Sequence, residues 1–139
     1  MNYTKTLIAV ADDCPVKKSA VPEPRGGKPT VATLQYQLLQ GHPYELTQED
    51  VLFESWLRRQ EGLAPSEPEK AKLWKEFFSK DQPCLRSSPL PKKYGFGLLF
   101  DGEGRVALCP VESEEYQRLA GARSPGVEVL KALRSARAR

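Results

Sequence analysis

Tyr94, Phe96, Leu98 and Phe100 fall on one side of an extended chain, with Gly95, Gly97 and Leu99 on the other. Side chains two apart share a face of a strand, so this spacing predicts a β-strand with a strongly apolar side. Asp101-Gly102-Glu103-Gly104 follows with turn chemistry, and Arg105 to Val111 returns as the partner strand. A two-stranded ribbon is not stable alone in water, so the rest of the chain must cover this hairpin.

Most of the covering segments read as helices. Thr30 is an N-cap after Pro29, and Val31, Leu34, Leu38 and Leu39 recur at helical spacing up to Gly41. Ala32, Leu34, Tyr36 and Leu38 also alternate as in a strand, but the Gln-Leu content and the terminal glycine decide for helix. Thr47-Gln48-Glu49-Asp50 starts a second helix like a capping box, with Leu52, Phe53, Trp56 and Leu57 as its buried stripe and Gly62 at its end. Ser66-Glu67-Pro68-Glu69 opens a third in the same way. Its Ala71, Trp74, Phe77 and Phe78 stripe is expected to be core rather than a cofactor box. Ser113 caps a short helix with Glu114 and Glu115 at its positive end, and Ser124-Pro125 begins a last one using Val127, Leu130 and Leu133. Leu7 to Ala11 is β-rich and reads as a first strand, ended by Asp12-Asp13-Cys14-Pro15. The expected class is α+β: a small antiparallel sheet of two or three strands covered by about four helices, in one domain over residues 1–139.

Charge and cysteine usage limit the function classes. The net charge of +3 comes from 21 basic and 18 acidic residues and selects no partner. Only Lys131, Arg134, Arg137 and Arg139 are basic without nearby acids, and cations at a helix end explain them better than a phosphate footprint does. Cys14, Cys84 and Cys109 cannot all pair in a monomer and contain no Cys-x-x-Cys pair, which fits a reducing cytoplasm. The apolar run Leu7–Ala11 is too short for a signal-peptide core, and no stretch approaches the roughly 20 apolar residues of a membrane helix. A cytoplasmic protein without membrane contact is therefore expected.

The chemistry-bearing residues concentrate between Lys80 and Gly97. Pro83, Pro89 and Pro91 stiffen this stretch, so Arg86, Lys92 and Lys93 are held with Cys84, Ser87 and Ser88 close in sequence. That set predicts an anion-preferring binding site for a small molecule or a protein partner, with no cofactor. Other chemistries are weaker. His42, the only histidine, sits in Gly41-His42-Pro43 with no nucleophile motif, and it leaves too few ligands for a metal site. Cys84 next to Arg86 would suit a thiolate nucleophile with His42 as base, yet a buried structural thiol is the plainer expectation. Lys92 to Phe100 partly matches an RNA-recognition strand, but Lys93 and Gly97 stand at wrong positions, so nucleic acid is disfavoured. Arg25-Gly26-Gly27-Lys28, in a long loop expected to be functional or mobile, lacks the rest of a P-loop. Gly102-x-Gly104-x-x-Ala107 lies in a hairpin rather than before a helix.

Three segments carry a resemblance: Asn2-Tyr3-Thr4-Lys5-Thr6, Gln48-Glu49-Asp50-Val51-Leu52-Phe53-Glu54, and Gln82-Pro83-Cys84-Leu85-Arg86-x-Ser88-Pro89-Leu90-Pro91-Lys92-Lys93-Tyr94-Gly95. Together they resemble a family of small bacterial and fungal proteins known only as a domain of unknown function. The resemblance implies a complete stand-alone protein and supplies no activity, cofactor or partner.

Overall fold

The computed structural model describes residues 3–60, 62–121 and 126–135. Every residue of β1 (Thr6–Ala9) and of β3 (Phe96–Phe100) is buried. A strand buried along its whole length has both faces covered, so the sheet is a middle layer. With β2 (Leu46–Thr47), β4 (Arg105–Pro110) and β5 (Glu128–Lys131) it forms five strands in the order β2-β4-β3-β1-β5. β3 and β4 are the expected antiparallel hairpin, with Leu98 opposite Leu108. β1 lies antiparallel to β3, and β5 joins β1 in parallel at the sheet's edge.

Local capping explains where the helices start. Thr30 caps α1 (Val31–Leu39), Thr47 caps α2 (Gln48–Arg58) and Ser66 caps α3 (Glu67–Phe78), each in a reciprocal box with the residue three positions on. Two shorter helices follow, α4 (Pro89–Lys93) and α5 (Glu114–Gly121). On one face of the sheet, Ile8, Phe96, Leu98, Phe100 and Val106 pack with Leu39 of α1, Val51 of α2 and Leu90 of α4. On the other, Leu7, Ala9, Leu99 and Cys109 pack with Tyr116 and Leu119 of α5.

Gly97 lies under α5. A Cβ there would stand 2.9 Å from Tyr116 Cε2 and 3.1 Å from the carbonyl oxygens of Cys109 and Ile8. Gly95, at φ +75°, lets the Lys18 backbone approach to 3.0 Å of where its Cβ would be. The segment leading up to it is likewise fastened, because Ala11 N–H donates to the Pro91 carbonyl and Ala20 N–H to the Tyr94 carbonyl, each at 2.9 Å.

Three expectations are corrected. The sheet is mixed and has five strands, because β2 is too short to show a period and β5 replaces the last helix. Val127, Leu130 and Leu133 have helical spacing, but the free edge of β1 offers Glu128–Lys131 a ladder, and that pairing overrides local pattern. Ser124-Pro125, the expected start of that helix, lies outside the described residues, as do Arg137 and Arg139. Lys131 and Arg134 cap no helix and instead reach Asp12 at 2.6 and 3.6 Å. Within the stiff stretch after Pro83, a 3₁₀ turn (Leu85–Ser87) leads into α4, whose N1 residue is Pro89.

The aromatic face of α3 is not the main core. No residue of α3 is fully buried, and Ala71 is exposed. The helix meets α2 through a satellite cluster, with Trp74 and Phe77 rings 5.1 and 5.8 Å from Phe53 and Phe77 5.2 Å from Trp56. Arg25 and Lys28 exchange backbone hydrogen bonds at 3.0 and 2.9 Å, so Gly26-Gly27 is a tight turn whose flanking N–H groups are already occupied. No helix among the described residues is long and apolar enough to cross a membrane.

Candidate functional site

The stretch from Gln82 to Tyr94 is largely a bracket. Gln82 Nε2 donates to the Phe77 carbonyl at 2.8 Å and closes the end of α3. Leu85 N–H donates to Gln48 Oε1 at 2.8 Å, and Gln48 is only 4% exposed. Ser88 donates its hydroxyl proton to Gln35 Oε1 at 2.5 Å and accepts Leu90 N–H at 3.2 Å, so it ties α1 to the cap of α4. Arg86 Nε donates to the Lys131 carbonyl at 2.9 Å, and the Arg86 carbonyl accepts Leu133 N–H at 2.9 Å. Glu128 and Ala132 turn their N–H groups toward β1, so alternate carbonyls such as that of Lys131 face the open edge of β5. Arg86 therefore closes one end of that edge.

Cys84 is the exception within this bracket, because it faces open space. It is half-buried and accepts the Tyr3 hydroxyl at 3.2 Å. Tyr3 is fixed in turn by its ring, 5.4 Å from Phe100. Burial, and then the hydrogen bond to Cys84, pushes the Tyr3 phenol up to about 12 while the Arg86 charge pulls the other way, so Tyr3 is a proton donor at neutral pH. A cleft of about 330 Å³ opens beside this pair, lined by Gln48, Glu49, Leu52, Phe78, Lys80, Asp81 and Gln82 besides the pair itself. Cys84 also walls a second cleft of about 190 Å³, with Leu52, Trp56, Phe77, Gln82 and Ser87 among its other walls. Cys84, Gln82 and Leu52 thus stand between two hollows beneath α3.

Of the other expected site residues, the cations and His42 are not gathered here. Arg86, Lys92 and Lys93 line neither cleft; the two lysines occupy the last turn of α4. Ser87 and Ser88 both line the smaller cleft, and Ser88 is buried there and engaged with Gln35. His42 is apart from Cys84: it lines a separate cleft with Glu45, Glu54, Arg58 and Lys70, and its Nδ1 lies 3.3 Å from Glu45 Oε2. The strand proposed for RNA stacking turns its aromatics inward, with Phe96 5% exposed and Tyr94 packed on the core. The buried thiol of the chain is Cys109, which is 1% exposed and pushed up to about 11 by burial. Among the described residues no group of three or more His, Cys, Asp or Glu side chains could hold a metal ion.

Sequence reasoning missed Tyr3, Gln48 and Gln35. Tyr3 meets Cys84 across 81 positions, and Gln48 meets Leu85 across 37. Glutamine is an ordinary helix-surface residue, so nothing local marks these two as buried bracket groups. A family model described as a family of unknown function (DUF6157) matches residues 1–138. No curated protein and no solved structure matches the chain.

Proposed function

The chain belongs to this family of unknown function, which lends it no activity, and we propose from the geometry that it is a binding domain whose ligand seats in the Tyr3–Cys84 cleft. One observation carries this: the Tyr3–Cys84 hydrogen bond places a half-exposed thiol and a protonated phenol in the wall of a cleft of about 330 Å³. Clefts of this size, with an apolar lining and a few convergent polar groups, suit small molecules. Leu52 and Phe78 supply the apolar part; Glu49, Lys80 and Asp81 supply charge of both signs. An anion-preferring site at Arg86, Lys92 and Lys93 has less support, because Arg86 is bound to the Lys131 carbonyl and the lysines lie outside the cleft.

A second function, thiol chemistry at Cys84, is favoured by position alone, since the sulfur is half-buried in the wall of two clefts with the Tyr3 hydroxyl 3.2 Å away. His42 is not placed to serve as its base.

A thermal-shift screen of phosphorylated metabolites, nucleotides, carboxylates and amines, followed by mass-spectrometric mapping of iodoacetamide labelling, tests the placement. At least one compound that raises the melting temperature should slow labelling of Cys84 and leave Cys14 unaffected. A screen in which no stabilising compound slows Cys84 labelling, or native Cys84 labelling as slowly as Cys109, overturns it.

A further inference from the structure

Among the described residues only two that are not glycine hold a left-handed backbone, Lys5 at φ +46° and Tyr44 at φ +57°. Both line the same cleft, about 480 Å³ in volume and distinct from the one that holds Cys84. Hydrogen bonds explain why the chain bends at these points: Lys5 N–H donates to the Asp101 carbonyl and Lys5 O accepts Glu128 N–H, both at 2.9 Å, and Tyr44 N–H donates to the Val106 carbonyl at 3.1 Å. They do not explain why a lysine and a tyrosine make the bends. Glycine adopts this conformation freely and asparagine at low cost, whereas larger side chains are strained there. Strain of this kind collects at ligand clamps, where the side chain is worth more than the backbone penalty.

The rest of the cleft shows what those side chains would meet. Leu99, Leu119 and Val127 contribute apolar wall. Asp101 and Glu115 bring two carboxylates, against the two cations Lys5 and Arg118. Burial, and then the charges of Glu115 and Asp101 among its neighbours, raise the Tyr44 phenol, so the hydroxyl stays protonated near both acids. Glu115 and Arg118 are 3.9 Å apart and both more than half exposed, a long surface contact that can open to a ligand. A purely anionic or purely cationic ligand would meet like charge on one side of this cleft, whereas a molecule carrying both signs finds a partner for each.

We propose that the cleft between Lys5, Tyr44, Asp101, Glu115 and Arg118 binds a zwitterionic small molecule, an α-amino acid or a dipeptide. Its ammonium lies against Glu115 and Asp101 beneath Tyr44, its carboxylate against Lys5 and Arg118, and its side chain on the apolar wall. This site stands independently of the Tyr3–Cys84 cleft.

The test is an amide chemical-shift titration of the full chain with L-leucine, L-phenylalanine and the dipeptide Ala-Leu, with acetate and methylammonium as single-charge controls. At least one zwitterion should give saturable shifts at Tyr44, Asp101 and Glu115 at millimolar concentration, about ten-fold tighter than either control, the scale of one added charged hydrogen bond. Glu115→Gln and Lys5→Asn should each weaken that binding about ten-fold. Lys5→Asn should also melt at or above the wild-type temperature, because asparagine relieves the backbone strain. Absence of saturable shifts with all three zwitterions, equal binding of the controls, undiminished binding by either variant, or a lower melting temperature for Lys5→Asn would overturn the proposal.

Discussion

Replacing Gly97 by alanine places one methyl group in a space with no room for it. The new Cβ would lie 2.9 Å from Tyr116 Cε2 and 3.1 Å from two backbone oxygens, those of Cys109 and Ile8. The oxygens belong to neighbouring strands of the ladder and cannot retreat without breaking sheet hydrogen bonds. The Tyr116 ring cannot retreat freely either, since its hydroxyl accepts Val10 N–H at 2.8 Å. Forcing one methyl into such a site costs about 1–3 kcal/mol, and displacing the ring adds about 1 kcal/mol for the lost hydrogen bond. Restricting the unfolded chain returns about 0.4–1 kcal/mol. The expected net loss is about 1–3.5 kcal/mol, a fall of roughly 4–14 °C in melting temperature for a chain of this size. Urea denaturation of Gly97→Ala against Gly102→Ala measures it, because a Cβ at Gly102 meets only the flexible end of Lys5, at 3.4 Å. Combining Gly97→Ala with Tyr116→Leu should recover about 1 kcal/mol relative to the sum of the single changes. A Gly97→Ala protein within about 0.5 kcal/mol of wild type, the range of a neutral surface change, would refute this account of the contact.

Other perturbations separate bracket from site. Ser88→Ala removes the α4 cap and leaves Gln35 Oε1 buried without its donor, so it should cost about 1–3 kcal/mol in urea denaturation. Arg86→Ala should lower the melting temperature in the absence of any ligand, by the worth of one partly exposed charged hydrogen bond, about 1 kcal/mol; an unchanged melting temperature would return Arg86 to the ligand-binding candidates. Tyr3 has its folded pKa raised from 10.0 to about 12, so its contribution is fully present below pH 10 and lost as pH rises through 12. Urea midpoints measured across that range should fall less steeply for Tyr3→Phe than for wild type. In native alkylation at neutral pH, Cys84 should react well before Cys109, whose thiol is buried and held near 11.

Signals confined to a few neighbouring residues made much of this protein legible from its sequence. Thr30, Thr47 and Ser66 each cap a helix with a partner three residues on, and the Asp101 carboxylate accepts Glu103 and Arg105 N–H groups at 2.9 Å within the hairpin turn. The partners in such contacts lie within a few residues of each other, so the positions of α1, α2, α3 and the hairpin are readable from sequence, although tertiary packing is what keeps them folded. Tertiary structure decided the remainder. Residues 128–131 carry helical and strand tendencies together, and only the vacant edge of β1 selects the strand. Cys84, Arg86 and Ser88 are adjacent in sequence and equally suggestive there, yet their partners are Tyr3, Lys131 and Gln35, 81, 45 and 53 positions away. Those partners turn Arg86 and Ser88 into structural ties and leave Cys84 at the wall of a cleft. The physical reason is that a side chain's role is set by what it meets in space, and composition and spacing do not contain that.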